Sequence, residues 1–387
     1  MAESKKPQKS KKQSSGKSFV LMLLVCSILL VGVFLISAYF SKGSEDFAQS
    51  VEEGENIENS TPSKNLSGFP ISFSNGIKTV YSGDDSIFVL SKNMLTVLKE
   101  SGYQQYSEAF SFSESTLKNE GNYALVFDRQ GSSYILLNNK KTFLKSKSHD
   151  EGDIITADVD KNGNHLIASR IKNATSALTY YDRSGKILFQ WLCANEHIVS
   201  CDISSDKKSI VCAALGSSNG NIYTKVYYFN IKNSEKNKEY TFKNSACIDC
   251  FFAGRKKLVC NFDNGRSAIN LAKKEGEPVT VSFSSSVLLR SNDSGFTAVI
   301  TKLDSSFDKN LLTVYNSSNT VVYSCEVPND VIDIQSKTRK AYLLTKKEVL
   351  LVADGKSDVL MSVGGADGLC AFKGNIYYYS NSALYCK

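Results

Sequence analysis

The sequence predicts an all-β protein. The expected architecture is a β-propeller of eight four-stranded blades (seven if one degenerate unit is a loop), preceded by one transmembrane helix. Three observations carry this prediction. Beyond residue 67, short apolar runs alternate with Gly/Asn/Asp/Ser turns, and no amphipathic stretch of helical length interrupts them. The runs recur at a spacing near that of a propeller blade. Residues 19–40 form one uncharged apolar stretch long enough to cross a lipid bilayer.

Taken in chain order, the first element is a basic tail, residues 1–18, with six Lys against one Glu. Residues 19–40 follow, FVLMLLVCSILLVGVFLISAYF, and at 1.5 Å rise per residue they span a hydrocarbon core of ~30 Å. Lys5, Lys6, Lys9, Lys11, Lys12 and Lys17 precede the stretch and mostly acidic residues follow it. The positive-inside rule therefore keeps the N-terminus in the cytoplasm and sends the bulk of the chain across. A cleaved signal peptide is the rival reading. Its apolar core is normally ~7–15 residues and ends on small residues. Here the core is longer and exits through the bulky Tyr39-Phe40, and Cys26 lies inside it with apolar residues on both sides. Residues 41–67 carry two Lys against six acidic residues and almost no large apolar side chains. Such a segment buries too little surface to offset its ordering entropy, so it reads as a flexible tether.

The remaining residues, 68–387, are expected to form the extracytoplasmic domain. One class of run reads as the buried second strand of each blade: 86–91, 122–128, 165–171, 209–215, 257–263, 296–303, 340–346 and 375–380. A second class follows each of them, from MLTVLKE in the first unit to SALYCK in the last. The mean repeat of about 41 residues matches a four-stranded blade. The last unit lacks a fourth strand, while Phe69-Pro-Ile-Ser-Phe-Ser74 is an unassigned strand-like run. The expectation is that 69–74 completes the last blade and joins the two ends of the domain, which removes free sheet edges. Pro70 suits an edge strand, where a missing N–H costs no ladder bond.

Two units show the repeat best. Ile154–Ala168 aligns with Ile198–Cys212, each reading as inner strand, polar turn and second strand, and Asp182–Gly185 reads as the turn between the outer two strands. In this blade pattern the chain resembles quinoprotein-type and WD-repeat propellers. In its layout it is similar to an uncharacterised family of Firmicutes proteins with one N-terminal membrane helix and a propeller-like ectodomain. That resemblance implies the fold and the topology, and no chemistry.

The bulk composition, 42% hydrophobic and 22% charged, is that of ordinary globular proteins. It excludes a wholly disordered chain and a polytopic membrane protein. Of the net charge of +7, the tail carries +5 and the linker −4, which leaves +6 on residues 68–387. That is compatible with an anionic envelope polymer as partner or with solubility alone. No dense Arg/Lys stripe points to nucleic acid.

Candidate chemistry is sparse. Asp158-Val-Asp-Lys-Asn-Gly163 opens like a calcium loop, but the twelfth position, where a bidentate carboxylate belongs, is Ser169. A strand-connecting turn is the better reading. Nine cysteines follow the apolar stretch, an odd number: 193, 201, 212, 247, 250, 260, 325, 370 and 386. Cys201 and Cys212 fall where the neighbouring unit has Ala157 and Ala168, so small buried packing is expected. Cys201–Cys212 and Cys250–Cys260 are candidate cross-strand neighbours. Cys247-Ile-Asp-Cys250 is a CxxC, but in an extended strand its two sulfurs point to opposite faces. His149, His165 and His197 show no ligand spacing, Gly364-Gly365 is a turn without a following helix, and Trp191 is the single Trp. The sequons at Asn59, Asn65, Asn173 and Asn316 matter only in a eukaryotic secretory pathway. No catalytic, cofactor-binding or metal residue is therefore assigned, and no cofactor is implied.

The expected role is a non-enzymatic binding or scaffold module at the cell surface. Its partner would be a protein or an envelope polymer. The alternative is a propeller hydrolase or lyase acting on an envelope glycan, which would need carboxylates gathered from several blades at the central channel.

Overall fold

The computed structural model describes residues 68–387, except 149–151, 233–234, 274–276, 294 and 304–307. The tail, the apolar stretch and the linker lie outside the described residues, as do Cys26, Asn59, Asn65 and His149. Among the described residues no helix is long and apolar enough to cross a membrane.

The strands form eight four-stranded antiparallel sheets. Seven sheets use four consecutive strands, numbered here blades 1 to 7. Their inner strands are Thr79–Ser82, Ser115–Glu120, Ile154–Val159, His197–Ile203, Cys247–Phe252, Val287–Asp293 and Val331–Lys337. Blade 8 starts with the inner strand Gly368–Phe372, continues through Asn375–Tyr379 and Ala383–Cys386, and takes its outer strand from the start of the domain. There Ile71 sits opposite Leu384 and Ser72 opposite Ala383. The closing strand is as expected, though shorter than the run 69–74. Pro70 has no N–H to add at one end. At the other, Phe73 N still bonds Ser382 O before the chain turns, with Gly76 N bonded to Phe73 O.

Burial follows strand position. The second strands Ile87–Leu90 and His165–Ser169 are buried throughout. Each lies between two strands of its own sheet and is covered on both faces by neighbouring blades. That explains their unbroken apolar runs. The outer strand Lys356–Ser362 buries only Met361. The predicted turns also form. The Asp160 carboxylate accepts the N–H groups of Asn162 (2.8 Å) and Asn164 (3.0 Å), and Asp182 does the same for Ser184 and Lys186. The corresponding turn of blade 4 is one residue longer, with Ser204 N bonded to Ser209 O where blade 3 bonds Asp160 N to Asn164 O. Cys201 therefore faces Cys212, whereas Ala157 faces Ile167, one step away from the simple sequence alignment.

Apolar clusters fill the junctions between blades, and among the described residues they account for seven of the eight. The junction of blades 5 and 6 is mixed, with the buried Val259, Ala268, Val299 and Tyr315 of its strands joined by polar groups. Arg266 of blade 5 is fully buried there. It donates to Asn316 O (3.0 Å), Asn319 Oδ1 and Thr297 Oγ1 (3.2 Å), and lies 5.5 Å from the Tyr315 ring. Burial pulls its pKa down to about 10.

Candidate functional site

Each inner strand runs in the same direction, so equivalent residues sit at the same level around the axis. The end where inner strands begin is called the front face, and the opposite end the rear face. Two features of the inner strands bear on function: the polar lining of the channel and a repeated bulge at its front mouth.

The channel lining follows one rule. A polar side chain on one inner strand accepts the backbone N–H of the next inner strand. Ser200 Oγ takes Cys250 N at 3.0 Å, Asp158 takes Ile203 N at 3.0 Å, and Asp202 takes Phe252 N at 2.5 Å. Ser291 takes Ser336 N, Asp293 takes Thr338 N, Asp333 takes Leu369 N and Gln335 takes Ala371 N. Inner strands of adjacent blades do not share a ladder, so these side chains supply the partners that their backbones lack.

Carboxylates do gather at the channel, as an enzyme would require. Asp158 and Asp202 are hydrogen-bonded to each other, and the Lys118 ammonium is drawn to Asp249 and Asp158. Burial and the Asp158 charge push the Asp202 pKa well above the carboxylate range, so Asp202 holds the proton of the pair. Burial also raises Asp158, which Lys118 opposes. Burial alone would lower the Lys118 pKa, but the Asp249 and Asp158 charges outweigh it. Lys118 is exposed to solvent in the channel. Asp249 is bonded to Asn292 Nδ2 at 2.7 Å. Asp158 and Asp202 are thus committed to holding neighbouring strands.

The bulge occurs in five consecutive blades, 3 to 7. Register shifts fall after Ile154, Ile198, Cys247, Val287 and Val331. The inserted residue is aliphatic each time: Ile155, Val199, Ile248, Leu288 and Ile332. Ile248 is 57% exposed, Leu288 48% and Ile332 38%. All five stand at the front end of inner strands. Ile155 and Val199 are half-buried, Val199 against the core between blades 4 and 5. Ile248, Leu288 and Ile332 of blades 5 to 7 therefore form the exposed arc of aliphatic side chains at the channel mouth. Apolar groups held in water at equivalent positions of successive repeats mark a surface that another molecule covers. Sequence reading missed the arc, although its signal is present: an apolar doublet at the start of each inner strand that breaks the period of two.

A second front-face feature is the hairpin of blade 4. Its strands Ser209–Ser218 and Asn221–Asn230 run ten residues each, longer than their counterparts. Its tip, with Lys225, Thr241, Lys243 and Asn244, lines a cleft of about 480 Å³. Behind it the buried Glu196 accepts from Tyr223 Oη (3.1 Å) and pairs with Lys225 (3.2 Å). Burial would raise the Glu196 pKa, but hydrogen bonds from Cys193, Lys225 and Tyr223 prevail and lower it. The hairpin is thereby braced to the loop before blade 4.

The residues singled out from sequence do not converge. Asp158 faces the channel while Asp160 closes its own turn, so the calcium-like oxygens point apart. Cys193, Cys201, Cys212, Cys247, Cys250, Cys260, Cys370 and Cys386 are buried, and Cys325 is half-buried. Burial raises the Cys201, Cys212 and Cys247 thiols well above the ordinary range. Cys250 is raised mainly by its bond to Cys260, whose sulfur lies 3.2 Å away. The geometric expectation for the CxxC needs correction. The bulge at Ile248 resets the alternation, and Cys247 and Cys250 enter the same core cluster. His165 is buried at the rear end of its strand, stacked on Tyr181, while His197 begins an inner strand at the front. Trp191 packs between blades against Tyr227 and Phe229.

A family profile described as "Family of unknown function (DUF5711)" matches residues 59–360. No curated protein matches the sequence. Among solved structures, the C-terminal WD40 domain of Sif2 is similar with a TM-score of 0.58 at 11% identity, covering 84% of this chain and 97% of that one. The WD40 domain of Pan2 from Neurospora crassa gives 0.46 at 7% identity, covering 84% and 94%. The computationally designed Ika8 protein gives 0.45 at 10%, covering 77% and 99%. At these identities the likeness concerns the fold alone.

Proposed function

The chain belongs to the family of unknown function DUF5711, and we propose that its propeller is a non-enzymatic binding or scaffold module. We further propose that residues 19–40 anchor it to the cell membrane with the propeller outside. The aliphatic arc at the front mouth carries the reading. Covering one such side chain fully contributes about 1.5–3 kcal/mol, so several together can support a specific complex. The partner is a protein or envelope component that presents an apolar knob to the channel mouth. The anchoring rests on the length of the apolar stretch and on the lysines before it. A hydrolase or lyase reading would need free carboxylates, and those of Asp158 and Asp202 accept backbone N–H groups. That leaves Glu120, whose pKa is raised by burial and by the Asp158 charge, as the group such a reading would rest on.

Site-specific photocrosslinking of the full chain in its native cell tests the proposal. A crosslinker at Ile248 or Leu288 should trap one defined species, and the same group at Lys340 on the rear face should not. Identical patterns at both faces, or no adduct at either, would refute the binding role. Protease added to intact cells should digest the propeller; digestion only after permeabilisation would refute the topology.

A further inference from the structure

The turns of the rear face differ in charge from those of the front. In blades 3 to 5 the rear turns expose Lys161, Arg183, Lys186, Lys208, Arg255 and Lys256. Of the acidic residues in these turns, Asp160, Asp182 and Asp206 each bind backbone N–H groups of their own turn, and the exposed Glu277 of blade 5 is matched by Lys273 in the same turn. Lys161 and Arg183 share a cleft of about 450 Å³, and Arg183 is held there by Tyr123 Oη at 3.0 Å and by the Phe143 ring. On the front face of the same blades, the turns balance Arg170 and Lys172 against Glu196 and Asp263. The mild overall charge of the domain therefore conceals a basic sector on one face.

The chain enters the propeller at that same rear face. Gly68 lies against the carbonyl of Ser101, in the rear turn joining the outer two strands of blade 1. This is the side where blades 8 and 1 meet, across the ring from the basic sector. Basic side chains concentrated on the face where a tether arrives fit a planar anionic surface, which reaches both sides of the face at once.

We propose that the rear face docks on the anionic headgroups of a phospholipid bilayer. The tether holds one side of the face and Lys161, Arg183, Lys186, Lys208, Arg255 and Lys256 hold the other. This rests on the anchoring proposed above. It adds an orientation: the aliphatic arc faces away from the membrane. The attraction acts within a screening length of about 8–10 Å, so it needs the face to lie close to the lipid and weakens in salt. The acidic linker is the competing occupant. It joins the propeller on the far side of the face, at Gly68.

Hydrogen–deuterium exchange of the full chain in nanodiscs tests the proposal. Discs of phosphatidylcholine alone are compared with discs containing phosphatidylglycerol. The expected result is several-fold slower exchange in turns 160–164, 182–186 and 204–208 in the anionic discs only, reversed by high salt, with turn 170–175 unchanged. Lys161→Glu combined with Lys208→Glu and Arg255→Glu should abolish the slowing while leaving the melting temperature in place. Equal exchange in both discs overturns the proposal. Salt-sensitive protection in the neutral discs also overturns it and assigns the face to the linker. Protection by added inorganic polyphosphate but not by phosphatidylglycerol overturns it in favour of a soluble polyanion. A chain that fails to enter either disc sinks the anchoring and this proposal with it.

Discussion

At the scale of single residues, the two most constrained side chains are Arg266 and Asp202. Arg266 places a guanidinium in a junction where the other junctions place aliphatic groups. Truncation to Ala leaves Thr297 and Asn319 without its donors and opens a cavity. Arg266→Ala should cost roughly 3–5 kcal/mol, and Arg266→Met, which keeps volume, should cost clearly less. Equal losses in denaturant titrations would show that the charge, and not the volume, holds the junction. Asp202 binds its proton more tightly folded than unfolded. Its contribution to stability is therefore fully present below the ordinary carboxylate pKa of about 4 and is lost as pH rises toward its folded value. Asp202→Asn mimics the protonated acid and keeps an acceptor for Phe252 N. It should leave stability unchanged or raised at neutral pH and flatten its decline above about pH 4. A variant that loses stability at neutral pH while keeping the wild-type pH slope would contradict this assignment. Neither residue was identifiable beforehand. Nothing in the local sequence tells a solvated Arg from a buried one, because the groups that bury Arg266 lie about 30–50 residues away.

At the scale of elements, the two-residue strand Ile71–Ser72 has an effect beyond its length. It supplies the outer strand of blade 8 and brings Phe69, Ile71 and Phe73 against the cluster shared by blades 8 and 1. Removing residues 68–73 should lower the melting temperature by several degrees and expose Ala383–Cys386 as a free edge that promotes association. An unchanged melting curve and a monomeric product would mean that the ring closes without it. The blade 4 hairpin makes the converse case. Its tip, Ser217–Ile222, projects past the ladder lengths of the other blades. Replacing the tip with a two-residue turn should change stability by less than about 1 kcal/mol and abolish crosslinks at the front face. The closing strand was legible because the last unit lacked a strand and the first had one to spare. The hairpin's length was not, since Gly216–Gly220 reads locally like any polar turn.

At the scale of the whole molecule, seven junctions are filled by apolar clusters among the described residues and the 5–6 junction is partly polar, so the ring has a weakest place. Burial of apolar surface holds most junctions at about 25 cal/mol per Å², whereas the 5–6 junction replaces part of that surface with hydrogen bonds whose net worth is about 1 kcal/mol each. It also leaves Arg290 Nε and Nη1 and Asn261 Oδ1 buried without a protein partner. Native-state hydrogen exchange should show Lys257–Phe262 and Phe296–Lys302 opening at lower free energy than Ile87–Leu90. The reverse order would mean that the polar seam is as tight as an apolar core.

The sequence by itself determined the propeller architecture, a count of seven or eight blades, the identity of their second and third strands, and the joining of the domain's two ends. These follow from repeat spacing and from runs that only a strand covered on both faces can sustain. The structure settled the count at eight. The tertiary structure alone decided which polar groups became stitches between blades, where bulges aimed aliphatic side chains into water, and that basic turns share one face. Those outcomes depend on register and on neighbours some 40 residues distant. A one-residue change in a turn or bulge moves a side chain from core to surface without altering the apolar pattern from which the fold is read.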